Sequence, residues 1–203
     1  MTEPAHRTLS VHEWHVVGPD GLPVQHRTVL VLRALRDGLT SYPYRFDRSE
    51  ATVHAVRGAR VGVPATDDHG LTVVELVFPR PLARGETASF EFETVFAWRS
   101  VPPPQVRRAS RLPVQHVEIR VEFSPERLPA ELRWGLWDGY APGARLRAAE
   151  RVALDEDHAA HRFMEELHGH TVGFTWTWPP GQEPVLPEDD ASTGGQLGGH
   201  PHG

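Results

Sequence analysis

The first residues with chemical potential stand in the stretch LSVHEWH, where His12, Glu13 and His15 lie close together. The helical zinc-protease signature needs two histidines four apart, so that both imidazoles face one ion with a glutamate beside them as base. Here the spacing is three. Leu9, Val11 and Val17 alternate with Ser10, His12 and Trp14, and Gly18-Pro19-Asp20-Gly21 follows at once, so the stretch predicts a strand entering a turn. Residues three apart on a strand face opposite sides, so His12 and His15 cannot share a metal, and both are expected as ordinary surface histidines.

Three other patterns fail on stated requirements. Asp155, Asp157 and Glu166 fall at positions one, three and twelve of a calcium loop, but Ala159 and Ala160 occupy the fifth ligand and turn-glycine positions. His168 and His170 would share a strand face as cupin ligands do, without the carboxylate and glycine spacing of that family. His200 and His202 suggest at most weak metal capture by solvated chain. There is no Gly-x-Ser-x-Gly elbow, phosphate loop or dinucleotide fingerprint. The expectation is no catalytic residue, no metal site and no cofactor.

What remains is a binding candidate. FAWRSVPPPQVRRASRLPVQH leaves one strong strand, crosses Pro102-Pro103-Pro104 and carries Arg99, Arg107, Arg108 and Arg111. Prolines hold such a connection extended, and guanidinium groups suit carboxylate or phosphate partners, although a merely solvated loop has the same composition. WDGY supplies a second candidate surface in Trp137 and Tyr140, with buried anchoring as the alternative for both.

The elements that must position these residues read as strands. ASFEFETVFAW puts Ala88, Phe90, Phe92, Thr94, Phe96 and Trp98 on one side; HVEIRVEF puts Val117, Ile119, Val121 and Phe123 inward. Further runs cover His26 to Arg36, Ala51 to Val63 with a turn at Gly58, Leu71 to Pro79, Leu132 to Leu136, Arg145 to Leu154 and HTVGFTWTW. Asp157 to Leu167 fits a short helix and an irregular strand equally. Nine or ten short strands separated by 19 prolines and 18 glycines predict an antiparallel, immunoglobulin-like β-sandwich. The expected organisation is a flexible N-terminus over 1–8, a sandwich over 9–179 and a disordered acidic tail with glycine and histidine over 180–203.

Composition narrows the partners. The 203 residues contain no cysteine, which excludes thiol nucleophiles and disulfides and suits a reducing cytoplasm. No apolar run reaches membrane-spanning length, so no membrane role is expected. Every basic residue is arginine, lysine and asparagine are absent, and isoleucine occurs only at Ile119, a pattern of a GC-rich genome. A formal net charge of −6 with arginines scattered among acids argues against direct DNA binding.

The order DGLTSYPYRFD, PRPLARGETASFEFETVF, the PPP and RR loop, VEIRVEFSPERLP, W..WDGY and TVGFTWTW resembles an uncharacterised actinobacterial β-sandwich domain family, sometimes joined to helix-turn-helix regulators. The likeness spans roughly Leu9 to Trp178. It implies a non-catalytic sensing or docking module. The leading expectation is therefore a cytosolic module that recognises a protein or small anionic ligand through loops at one end of the sandwich. The alternative is an enzyme acting on a small molecule or sugar, with histidine and carboxylate acid–base groups in a cleft between sheet and loops. The oligomeric state is not legible.

Overall fold

A computed structural model of the chain describes residues 4–46, 51–67, 71–110, 112–139 and 143–186. Among these residues the secondary structure is all strand: β1 (His6–Val17), β2 (Pro23–Ala34), β3 (Leu39–Phe46), β4 (Ala51–Arg57), β5 (Arg60–Val61), β6 (Ala65–Thr66), β7 (Thr72–Leu82), β8 (Thr87–Phe96), β9 (Gln105–Ala109), β10 (Val114–Phe123), β11 (Glu131–Trp137), β12 (Leu146–Arg151), β13 (Ala159–Leu167) and β14 (Thr171–Thr177). No helix among them is long and apolar enough to cross a membrane.

The all-β expectation holds, and its details need correction. The strands form three sheets, with orders β13-β10-β1-β2-β8-β4, β12-β11-β14-β9 and β3-β7-β5, and β6 also pairs with β7. Fourteen strands replace nine or ten, in part because Gly58, at φ 75°, breaks the Ala51 to Val63 run into β4 and β5. The ladders are antiparallel except for β1 and β10, which run parallel. Within Asp157 to Leu167, Ala159–Leu167 resolves as strand, β13, which pairs with β10, while Asp157 and His158 belong to the preceding turn. β1 begins at His6, inside the segment expected to be flexible. At the other end, Arg127 donates to the Gln182 carbonyl at 3.0 Å, which ties the start of the expected tail to the body. Residues 187–203 lie outside the described residues.

One hydrophobic cluster joins all three sheets. It contains Leu30, Phe90, Phe92, Val121 and Phe123 of the six-stranded sheet, Val74, Leu76 and Phe78 of one small sheet, and Val172, Phe174 and Trp176 of the other. Tyr42 and Phe78 pack on Phe90, Tyr44 packs on Phe92, and Phe123 packs edge-on to Trp176. The alternation of apolar and polar residues along β8 and β10 produces this arrangement directly, because it gives each strand one face to bury.

Candidate functional site

The β1–β2 hairpin sets the position of the polar groups. Asp20 accepts from the Leu22 amide at 2.9 Å, Gly21 sits at φ 81°, and Gly18 closes on Leu22 through its amide at 2.9 Å. Aspartate and glycine are the residues this turn requires, since the side chain caps the bend and the glycine tolerates positive φ. The turn fixes the register that places His15 opposite His26 and Glu13 opposite Thr28.

All four of these side chains point into the core. Glu13 is 2% exposed, His15 and His26 are 7%, and Thr28 is fully enclosed. The two imidazoles stack with centroids 4.1 Å apart, and His26 Nε2 lies 2.9 Å from Thr28 Oγ1. From β9, Arg108 Nη1 donates to Glu13 Oε1 at 3.0 Å. Tyr44 of β3 supplies a buried phenol that accepts from Thr94 Oγ1 at 3.4 Å. Strands from all three sheets thus contribute to one enclosed polar cluster.

Its electrostatics follow from burial and one close cation. Burial by itself would raise the Glu13 pKa, but Arg108, then His15 and His26, outweigh it and hold the carboxyl at about 2. Desolvation, with help from His15 and Arg108, lowers His26 to about 3, so its ring is neutral. Burial also opposes charge on Arg108, yet the Glu13 carboxylate beside it keeps its pKa above the ordinary value. Burial pushes Tyr44 up to about 12. The pair Glu13–Arg108 is therefore ionised, while His26 and Tyr44 are uncharged. Glu13 Oε2 and His15 Nε2, 3.5 Å apart, are buried without a hydrogen-bond partner.

The sequence reading placed His15 at the surface, and the structure corrects this. The signal was present: Val11 and Val17 were read as one strand face, and Glu13 and His15 have the same parity. His12 does face outward, where its Nδ1 lies 2.5 Å from Glu118 Oε2, and His161 Nε2 approaches Glu118 Oε1 at 2.8 Å. This outer row is the cross-strand ion pairing expected of a sheet face.

The proposed binding residues separate. Arg108 is not at a loop; it follows Val106 on the inward side of β9 and is committed to Glu13. Trp137 is buried at 4% and Arg99 is exposed. Arg111 and Tyr140 lie outside the described residues. Arg107 and Trp137, read from two separate segments, do come together: the guanidinium carbon lies 5.6 Å from the indole centre. The indole lies back over Gly135, where an added Cβ would come within 2.7 Å of the ring. Gly135 pairs with Gly173, and Gly173 pairs with Arg107, so the two glycines permit close packing across β11, β14 and β9: the Trp137 ring and Leu146 fill the space over Gly135, and the β9 backbone fills that at Gly173.

The same outer face carries arginines that the sequence reading passed over. Arg133 and Arg151 stand directly opposite each other across β11 and β12. Both turn to one acceptor, Glu131 Oε1, at 3.0 and 3.4 Å, and both side chains are at least half exposed. Like charges at directly opposed positions destabilise a ladder. Two cations sharing one carboxylate leave the face net positive.

No protein-family model and no curated protein matches the chain. Among solved structures, it is similar to a candidate protease from Parabacteroides distasonis, at 13% identity and a TM-score of 0.54, over 84% of this chain and 40% of that one. It also aligns with an M1 zinc metallopeptidase from Deinococcus radiodurans at 15% identity and a TM-score of 0.36, over 86% of this chain and 39% of that one. The chain thus spans well under half the length of both. The first likeness concerns the fold alone, and the second carries no functional weight.

Proposed function

We infer that the chain is a non-catalytic recognition module, an immunoglobulin-like sandwich working in the cytoplasm, that binds an anionic ligand or an acidic segment of a protein partner. The observation that carries this reading is the Arg133–Arg151 pair: two guanidinium groups held opposite each other with a single carboxylate between them, beside Arg107 over Trp137. A bidentate anion would relieve the like-charge contact and replace the shared acceptor. The recognition surface is accordingly the outer face of the four-stranded sheet, with Arg107 retained from the sequence reading and Arg133 and Arg151 added.

The enzyme reading has one observation in its favour, the convergence of Glu13, His15 and His26. Their burial counts against it, because acid–base groups must reach a substrate. A resemblance to actinobacterial regulator-linked domains agrees with a docking role.

The test is capture of partners from host extract by the parent chain and by Arg133→Glu/Arg151→Glu. The parent should retain an acidic partner that the variant loses, with both proteins equally stable. Equal retention by the two would remove the arginine face as the recognition surface.

A further inference from the structure

We propose that Glu13, His15 and His26 form a buried binding site for a borderline transition-metal ion, with zinc the first to test. The three residues offer ligand atoms that all lie within 4.8 Å of one another. Two imidazoles and one carboxylate are a known zinc ligand set, and donors around a tetrahedral ion stand roughly 3.3 Å apart. The 3.5 Å between Glu13 Oε2 and His15 Nε2 matches that spacing.

A second observation points to a missing occupant. Glu13 Oε2 and His15 Nε2 are the two atoms of the cluster facing each other, and both are buried without a hydrogen-bond partner. An orphaned acceptor of this kind costs on the order of 1–3 kcal/mol, more for a charged group. Glu13 Oε1 accepts from Arg108 and lies 3.7 Å from His26 Nε2, while Oε2, 3.5 Å from His15 Nε2, is the oxygen left for the ion. Thr28 holds His26 through Nε2, which makes that contact the one exchanged when the metal binds.

Arg108 gives the site a distinctive property. Its fixed positive charge, 3.0 Å from the shared carboxylate, opposes a second cation and weakens binding. Removing that charge leaves Glu13 free to serve the metal alone. A purely structural ion pair predicts only destabilisation from the same change, which zinc would not repair.

The experiment uses the full chain carrying His200→Ala/His202→Ala, so that the tail histidines do not compete. After chelation, zinc binding is followed by competition with a chromophoric chelator and by thermal melting. One zinc per chain is expected, with a higher melting midpoint. His15→Gln and His26→Gln should each weaken binding at least ten-fold, while Arg108→Met should tighten it at least ten-fold and regain its lost stability with zinc. His12→Ala/His161→Ala, which alters the outer row around Glu118, should leave binding unchanged. Should the glutamine variants fail to fold, zinc-loaded His26→Cys should show one sulfur at about 2.3 Å by X-ray absorption. No stoichiometric binding, binding that survives loss of His15 and His26, or a His26→Cys zinc shell without sulfur would overturn the assignment.

Discussion

His15 and His26 lie face to face across the first hairpin, ring centroids 4.1 Å apart and planes inclined by 15°, buried beside Glu13 and Thr28. Two protonated rings at that separation would repel each other and Arg108 as well. The ring of His26 is neutral, and the metal-free fold depends on its staying so.

That dependence gives stability a defined response to acid. His26 has a folded pKa near 3 against an ordinary 6.5, so between those values the unfolded chain takes a proton that the folded chain refuses. Stability should fall as pH drops below 6.5 and continue falling towards 3, with a slope of up to about 1.4 kcal/mol per pH unit. Glu13, held at about 2 against 4.5, adds a second loss that begins below 4.5 and is complete only below 2. Urea unfolding of the metal-free chain across this range measures both. A flat profile between 6.5 and 4.5 in the parent would show that His26 is not buried neutral, and His26→Gln should reduce the slope there, leaving the contribution of His6, whose pKa burial also lowers.

Neighbouring arginines should differ in what their loss costs. Arg108→Ala leaves the Glu13 carboxylate buried without its cation and should cost about 3–5 kcal/mol. Arg107→Ala removes, among other contacts, the cation over the Trp137 ring, worth about 1 kcal/mol, and should cost less than Arg108→Ala. Equal losses on chemical denaturation would place Arg108 outside the core.

The reasons these two residues were not distinguished in the sequence are physical. Strands β8 and β10 were legible because each alternates cleanly, and Phe92 and Val121 are buried as that alternation requires. β9 offers only five residues after three prolines, too few to show a period, so its inward pair Val106 and Arg108 read as loop. The polar cluster was half legible. Parity put Glu13 and His15 on the Val11 face, but their pairing with His26 depends on hairpin register, and with Arg108 on a contact between residues 95 positions apart. The parallel β1–β10 pairing and the split of one expected sheet into two are long-range outcomes that no local pattern encodes.

The two glycines under the arginine face should differ in tolerance. A Cβ at Gly173 would meet the Val106 carbonyl at 2.0 Å, backbone against backbone, so Gly173→Ala must separate β9 from β14. At Gly135 the obstacle is the edge of the Trp137 ring, a side chain that can turn. Gly135→Ala should cost about 1–3 kcal/mol with a red shift in tryptophan emission, and Gly173→Ala should cost more. The reverse order in thermal melting would contradict this close packing.

Phe92→Asp tests the core itself. The ring is 1% exposed and packs on Tyr44, so the variant loses a buried aromatic, about 3–5 kcal/mol, and gains an unpaired charge. A parent-like melting temperature would be incompatible with the sheet packing described.

The proposed recognition role rests on Arg133 and Arg151, two cations that share the Glu131 carboxylate, and the salt dependence of anion binding reads their charge most directly. Affinity for a polyglutamate probe, measured by titration at increasing salt, should fall steeply for the parent, as expected for exposed ion pairs. Arg107→Ala/Arg133→Ala/Arg151→Ala should bind at least ten-fold more weakly at low salt and respond much less to salt. A parent that ignores polyglutamate, or a triple variant with the parent's affinity and salt slope, would contradict recognition through this face.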